Sequence, residues 1–204
     1  MQFKCMRCLE CCRQYWISLL PEEAEKIARK LKLSLKEFIE KNCVVLLQAY
    51  PFSKSKQSFV HSLDKFPSRI QGILKKKSKA SHFMVLPLIA LDKTEGKCIL
   101  LKGVNCLVYE ERPKQCALFP LISIQRTKTS KEHYPFCKGL LPGKEFKVNK
   151  KEVLGHYEKV RNHLDEVKEK GFQGIWPVIP EKGMLMLSNE FIDELKKGEF
   201  IELI

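Results

Sequence analysis

The first helix is predicted from the spacing of apolar residues after Pro21. These residues repeat at the i, i+3, i+4, i+7 intervals of one buried helix face: Ala24, Ile27, Ala28 and Leu31. Pro21 suits the first helical position, because the N–H that it lacks would have no partner there. The pattern therefore predicts a helix from about Pro21 to Leu31.

A second helix is predicted to begin directly after Ser34. Ser34 and Glu37 have the spacing of a capping box, in which each side chain binds the other residue's backbone N–H. The apolar face of this helix consists of Leu35, Phe38 and Ile39. Cys43 falls eight residues after Leu35 and continues that face, so it is predicted to be a buried core thiol.

Two further helices are predicted in the C-terminal part of the chain. Residues 150–170 carry apolar residues at helical spacing between Asn149, a good N-cap, and Gly171, a good stop signal. A last helix is predicted over 189–197, with Ser188 as its cap.

The strand signals are short and lie mainly in the middle of the chain. His82 to Leu91 is predicted to be a buried strand that Pro87 either breaks or confines to a sheet edge. Cys98 to Leu101 and Cys106 to Tyr109 are predicted strand-like pieces on either side of a Lys102-Gly103 turn. Leu121 to Ile124 is a further candidate strand, so helices and short strands together predict an α+β fold.

Length and composition indicate a globular chain. Its 204 residues fit one domain, or one domain with an extension, and 44% of them are hydrophobic. The longest apolar run, Phe83 to Leu91, has nine residues, whereas a membrane span needs about 20. The N-terminal residues lack the apolar stretch of a signal peptide, so we expect a cytoplasmic protein.

The charge of this basic protein is concentrated in one segment. The formal net charge is +13, and residues 54–82 contain eight Lys or Arg residues against Asp64 alone. One interpretation is a solvated insertion with a short amphipathic helix over about 61–75. The alternative is a binding surface for an anionic partner, which could be nucleic acid, an anionic lipid surface or an acidic protein.

The cysteines carry the candidate chemistry. In a reducing compartment, nine cysteines point to metal ligands or catalytic thiols rather than disulfides. Two groups of four stand apart from Cys43: Cys5, Cys8, Cys11 and Cys12, then Cys98, Cys106, Cys116 and Cys137.

The gaps in the N-terminal group suit metal binding. Two-residue gaps let thiolates converge on zinc at about 2.3 Å, and C-x2-C-x2-C also begins the bacterial ferredoxin arrangement. Adjacent Cys11 and Cys12 tend to point apart, so they serve two metals or one of them is a redox or supporting thiol. Eight cysteines suffice for two tetrathiolate sites, and the alternative is that some of them are buried apolar thiols.

Two blocks of the sequence resemble the CxxCxxCC family of cysteine-cluster proteins. The first block is Phe3-x-Cys5-x2-Cys8-x2-Cys11-Cys12. The second contains Cys106, Tyr109, Arg112-Pro113, Cys116 and Phe119-Pro120 in the family's order. The family usually has glycine after its second cysteine, where a left-handed turn is then easy, but this chain has Leu9.

The resemblance covers about residues 1–143 and implies a zinc- or iron-chelating domain. The implied ligands are Cys5, Cys8, Cys11, Cys12, Cys98, Cys106, Cys116 and Cys137. The expected organisation is a cysteine-cluster domain over 1–143, with the basic insertion 54–82, and a helical extension over 144–204 packed on it. The fold expected for this organisation is a small irregular α+β domain stabilised by metal.

The second block also contains residues that could support the thiolates. Arg112 is a candidate partner of their negative charge, with a surface ion pair to Glu110 or Glu111 as the alternative. Tyr109 is predicted to lie in the core. His133, four residues before Cys137, is a candidate additional ligand.

Three functions are compatible with these features. The first is a metal-binding protein with a [4Fe–4S] cluster or Zn²⁺, acting in redox chemistry, metal handling or protein modification. The second is a metal-dependent protein lysine N-methylase, because flagellin lysine methylases carry a similar cysteine motif. The third is a zinc-stabilised basic nucleic-acid-binding module. Whether the protein is an enzyme stays open, and no catalytic residue is assigned.

Overall fold

The structure is a computed structural model that describes residues 3–52, 60–66, 68–77, 79–122, 126–187 and 200–202. It shows the predicted α+β architecture, with several helices and mostly short strands. The α-helices of the described residues are α1 (Glu10–Gln14), α2 (Pro21–Lys30), α3 (Leu35–Asn42), α4 (Ser68–Lys77), α5 (Lys114–Leu118) and α6 (Lys150–Lys170). Their strands are β1 (Ser18–Leu19), β2 (Cys43–Phe52), β3 (Val60–Ser62), β4 (His82–Leu91), β5 (Lys93–Thr94), β6 (Lys97–Cys98), β7 (Leu101–Lys102), β8 (Asn105–Cys106), β9 (Lys128–Thr129), β10 (Phe146–Lys147), β11 (Gly183–Leu187) and β12 (Phe200–Glu202).

The helix signals of the sequence correspond to observed caps. Ser34 Oγ accepts the Glu37 N–H at 3.2 Å, and the Glu37 carboxylate accepts the Ser34 N–H at 3.0 Å. Asn149 accepts the Glu152 N–H at the start of α6, and Gly171 ends that helix with φ 74°. These local contacts explain why the bounds of α3 and α6 are predictable from the sequence.

The main sheet is built around strand β2, which was not predicted from the sequence. Its ten residues pair antiparallel with all of β4, from Cys43 opposite Leu91 to Phe52 opposite His82. The sheet order is β1-β4-β2-β11-β12, with β3 also on β4 and with β11 parallel to β2. Cys43 therefore begins a strand rather than continuing the face of α3, although it is buried in the core. Val44 and Val45 follow it, and β-branched residues favour a strand.

Pro87 neither breaks β4 nor places it at a sheet edge. It lies opposite Leu47 of β2, within a strand that continues to Leu91. On the other side of β4, the described strand β1 pairs with residues 89–90 and the described strand β3 pairs with residues 82–84. Pro87 falls between these two pairings, where the missing N–H costs no ladder bond to either of them.

The two faces of the sheet carry separate apolar clusters. On one face, Ile89 and Leu91 pack with residues of α2 and α3 and with Trp176. On the other face, Leu46 and Leu88 pack with Trp16 and with Leu164 of α6. The sheet is therefore covered by helices on both sides.

Two described parts of the basic segment 54–82 belong to the sheet, residues 60–62 and His82. The short helix predicted over 61–75 is wrong in its start, because residues 60–62 form β3 and the α-helix spans 68–77. Leu74 of α4 is fully buried and packs with Ala49, Phe83 and Val85. Residues 53–59, 67 and 78 lie outside the described residues.

The C-terminal part contributes strands as well as a helix. β9 pairs with β10, α6 follows, and β11 joins the main sheet. The helix predicted over 189–197 lies outside the described residues. Of the strand predicted over 121–124, residues 123 and 124 also lie outside, and residues 121 and 122 are not in a strand. No helix in the described residues is both long and apolar enough to cross a membrane.

Candidate metal centre

The structure brings all eight cysteines of the two groups to one cleft of about 140 Å³. They come from two parts of the chain that are far apart in sequence. The first group is Cys5, Cys8, Cys11 and Cys12, and the second is Cys98, Cys106, Cys116 and Cys137. All eight are free thiols. Cys43 is also free, but it lies in the core cluster between sheet and helices and is not a lining residue. The cleft thus separates the eight candidate ligands from the ninth cysteine.

The N-terminal loop reaches the cleft through left-handed backbone at two residues. Arg7 has φ 49° and Leu9 has φ 64°. Leu9 is the N-cap of α1 and occupies the position where the family usually has glycine, so leucine adopts the turn that glycine would make easily. The turn then places Cys11 and Cys12 in the first turns of α1.

Four of the thiols accept a backbone N–H from the residue two positions later. Arg7 N donates to Cys5 Sγ at 3.4 Å. In the same way, the backbone N–H of Leu100 donates to Cys98 Sγ and that of Val108 donates to Cys106 Sγ. Cys137 Sγ accepts from the backbone N–H groups of both Gly139 and Leu140. A neutral thiol is a weak acceptor, whereas a thiolate gains from each such N–H. These loops are therefore shaped to hold thiolates.

Two small hairpins position Cys98 and Cys106. Lys93 lies opposite Cys98 across a turn at Glu95 and Gly96, whose φ values are 53° and 72°. Leu101 lies opposite Cys106. The predicted turn at Lys102-Gly103 is present, although its strands are only two residues long.

Burial and mutual repulsion act together on the thiols at the closed end of the cleft. Burial raises the pKa of Cys116 well above its usual value, and the negative charges of Cys98, Cys12 and Cys106 raise it further. Burial likewise raises the pKa of Cys98 to about 11, against the opposing Leu100 N–H. Several thiolates so close together need positive charge among them, which a metal ion supplies.

Cys11 and Cys12 are a strongly coupled pair. The Cys11 thiol hydrogen-bonds to the Cys12 sulfur, which raises the pKa of Cys11 and lowers the pKa of Cys12. The positive charges of Arg13 and Lys93 lower the pKa of Cys12 further. Cys12 is thus the member of the pair that ionises first.

Basic side chains approach the thiols from two sides. The Lys93 ammonium donates to the Arg13 carbonyl at 2.7 Å, and although burial lowers its pKa, Cys98 and Cys12 oppose this shift. Burial raises the pKa of Cys106, and the positive charge of Arg112 opposes that rise. Arg112 also donates to the Tyr109 carbonyl at 2.6 Å and stacks on the Tyr109 ring. Tyr109 is half-buried at the cleft rather than a core residue.

Several supporting residues were missed by sequence reasoning. Glu23, in the first turn of α2, accepts the Lys114 N–H at 2.6 Å at the start of the helix that carries Cys116. Tyr15, Phe119 and Phe136 form a ring cluster beside the thiols, with centroids 5.3–5.9 Å apart. Gly139 lets the backbone at Lys4 pass close by, because a Cβ at residue 139 would lie 2.8 Å from the Lys4 carbonyl oxygen. The contacts of Glu23 with Lys114, of Tyr15 with the two phenylalanines and of Gly139 with Lys4 span 91 residues or more, so no local sequence pattern predicts them.

The described thiols surround the cleft without meeting at one point. Within the described ranges, no three Cys, His, Asp or Glu side chains form a ready-made ion site. His133 is not a lining residue of the cleft, and its Nδ1 accepts the Ser130 N–H at 3.1 Å. The donor set still fits metal, because eight free thiols, four of which accept a backbone N–H from the residue two positions later, share one partly buried cleft.

A family model for CxxCxxCC, described as a "Putative zinc- or iron-chelating domain", matches residues 4–138. The match covers about two thirds of the 204 residues and includes all eight cysteines of the cleft. No curated protein and no solved structure matches the chain significantly.

Proposed function

The chain belongs to the CxxCxxCC family, and from that premise we propose that its eight cleft cysteines bind metal as two sets of four thiolates. The observation that carries the proposal is the partition of the nine cysteines. All eight that match the family pattern line one cleft, while Cys43 is a core residue.

The electrostatic neighbours of the thiols suggest how the eight divide. The charges of Cys98, Cys12 and Cys106 raise the pKa of Cys116. The charge of Cys12 also raises the pKa of Cys98 and of Cys106. The Cys8 charge raises the pKa of Cys137. The charges of Cys12, Cys116 and Cys5 all raise the pKa of Cys11, which therefore lies between the two groups. The first proposed set is Cys12, Cys98, Cys106 and Cys116, and the second is Cys5, Cys8, Cys11 and Cys137. Adjacent Cys11 and Cys12 then serve different sets.

The size of the cleft favours an iron–sulfur cluster over mononuclear zinc in at least one set. A zinc ion is smaller than a water molecule, which needs only about 10–15 Å³ of such a cavity volume. Two such ions would leave most of about 140 Å³ empty, whereas a cluster of four irons and four sulfides is several times larger. Thiols that surround a volume rather than a point also suit a cluster. The proposed role is therefore electron transfer or iron handling.

Anaerobic purification followed by metal, sulfide and absorbance measurements tests both parts. We expect iron with acid-labile sulfide and absorbance near 400 nm, a band characteristic of iron–sulfur clusters. Colourless protein with stoichiometric zinc would retain metal binding and reject the cluster. Protein that binds neither zinc nor iron would reject the proposed function.

Single substitutions test the division into sets. Cys116→Ser should remove the metal of the first set and Cys8→Ser that of the second, so each lowers the metal content by about half. Cys43→Ser is the matched control, because it changes a buried thiol outside the cleft and should leave the stoichiometry unchanged. Loss of all metal from either ligand variant would show that the eight thiols form one inseparable centre.

A further inference from the structure

The Tyr109 ring lies between two guanidinium groups at the rim of the cleft. The Cζ atoms of Arg7 and Arg112 are each 4.1 Å from the ring centroid. Two planar groups this close to one centroid would overlap on a single face, so one occupies each face. Arg112 is fixed by its hydrogen bond to the Tyr109 carbonyl, whereas Arg7 is exposed.

The two halves of this stack belong to different parts of the metal centre. Tyr109 and Arg112 lie in the segment between Cys106 and Cys116. Arg7 lies inside the Cys5–Cys8 loop, more than 100 residues earlier in the chain. The contact between Arg7 and Tyr109 therefore joins the N-terminal loop to the wall formed by the second cysteine block.

The N-terminal loop forms the solvent side of the cleft. Cys5 is the exposed member of the eight thiols, whereas Cys137 is buried and the other six are half-buried. Met6 and Val104 both line the cleft, yet they are 63% and 74% exposed, which marks its mouth. Movement of the Cys5–Cys8 loop away from Tyr109 would widen that mouth.

The loop also has a backbone that favours opening. Arg7 and Leu9 both hold left-handed φ values that non-glycine residues rarely adopt. Such a conformation persists only where surrounding contacts fix it. The stacked Arg7 side chain is one such contact, and it belongs to one of these two residues.

We propose that the Arg7–Tyr109–Arg112 stack is a latch that holds the Cys5–Cys8 loop over the cleft and so controls how fast metal enters and leaves. The inference rests on the proposed metal-binding function. In it Arg7 and Tyr109 are positioning residues, and no thiol ligand is altered when the latch is broken. Breaking the latch raises the population of the open loop and leaves the number of bound ions unchanged.

The test uses the full chain loaded with Zn²⁺ and mixed with an excess of a chromogenic chelator. Arg7→Gln and Tyr109→Leu should each release zinc about two to five times faster than the wild type, the range expected for an exposed cation–π contact. Arg7→Lys should release it at an intermediate rate, because lysine keeps the charge but not the planar stack. The double variant should be no faster than Tyr109→Leu alone.

Two matched controls separate stacking from simple charge. Tyr109→Phe keeps the ring and should behave like the wild type. Lys4→Gln removes one exposed positive charge beside Cys5 without touching the stack and should also leave the rate unchanged. Equal release from Arg7→Gln and wild type, or equal acceleration in Lys4→Gln and Arg7→Gln, would overturn the latch.

A second measurement needs no metal. In the reduced metal-free chain, iodoacetamide labelling followed by peptide mass spectrometry should show faster alkylation of Cys8 in Arg7→Gln, with Cys116 unchanged. If wild-type protein binds neither zinc nor iron, the proposed function fails, while the alkylation pattern still decides whether the latch exists. Unchanged Cys8 labelling, or equal acceleration at both cysteines, would contradict it.

Discussion

At the scale of the residue, the N-terminal loop depends on how closely two backbone segments approach. A Cβ added to Gly139 would lie 2.8 Å from the Lys4 carbonyl oxygen and 2.8 Å from a ring carbon of Phe3. Real Cβ atoms do not approach this closely, so only glycine lets residues 3–5 pass beside residues 137–139. This approach brings Cys5 and Cys137 to the same cleft.

We therefore expect Gly139→Ala to destabilise the protein and weaken metal binding together. Overpacking costs about 1–3 kcal/mol, because the displaced backbone cannot move away without loss of other contacts. Urea unfolding and zinc titration of the same variant measure the two effects. The matched control is Gly155→Ala in α6, where a Cβ meets nothing within 4 Å and should stabilise the helix by about 0.5–1 kcal/mol. Equal behaviour of the two variants would disprove the role of the close approach.

Leu9 shows where sequence reasoning at single residues can mislead. A leucine in place of the family's glycine suggests a different loop, yet Leu9 adopts φ 64° and the left-handed turn is retained. The turn is held by its surroundings, since Leu9 O accepts the Cys12 N–H at 3.0 Å and the side chain lines the cleft. Residue identity alone does not reveal such compensation.

At the scale of the element, Glu23 ties together two helices that are distant in sequence. Its carboxylate accepts the Leu20 N–H at 2.9 Å at the start of α2 and the Lys114 N–H at 2.6 Å at the start of α5. Burial raises the pKa of Glu23, while these two N–H groups oppose that shift. Because α5 carries Cys116, the contact fixes one wall of the cleft relative to α2.

Glu23→Ala should lower the free energy of unfolding by about 2–3 kcal/mol, because two backbone N–H groups lose a charged acceptor. It should also weaken zinc binding by the set that contains Cys116. Glu22→Ala is the control, since the ion pair that Glu22 makes to Lys159 at 3.5 Å is exposed and worth about 0–1 kcal/mol. Chemical denaturation and zinc titration report both quantities, and comparable losses in the two variants would refute the link.

At the scale of the whole molecule, the apolar core and the thiol cleft are adjacent but distinct. The clusters around Leu46 and Leu88 and around Leu74 and Phe83 contain no cleft cysteine. The cluster on the α2 and α3 face does touch the cleft, through Cys11, Cys98, Cys106 and Cys116. Metal can therefore stabilise one part of the molecule more than the rest.

Removing the metal should loosen the cleft first. In hydrogen exchange after chelation, we expect residues 5–16 and 98–119 to lose protection. The parts of β2 and β4 around Leu46, Ala49, Phe83 and Leu88 should keep theirs, since the clusters there contain no cleft cysteine. Structural zinc contributes about 10–16 kcal/mol of apparent binding energy in small domains, so the change should be large. Simultaneous loss of protection in β2 and β4 would instead mean that metal holds the entire fold together.

The sequence by itself determined the features that depend on neighbours within a few residues. The caps of α3 and α6 and the turn at Gly103 follow from spacing and local hydrogen bonding. The tertiary structure decided what depends on residues far apart in the chain: β2, the central place of Pro87, and the meeting of Cys5 with Cys137 beside Gly139. Helix caps and turns are closed by contacts within one or two turns of chain, whereas strands and shared clefts exist only once distant segments have packed together.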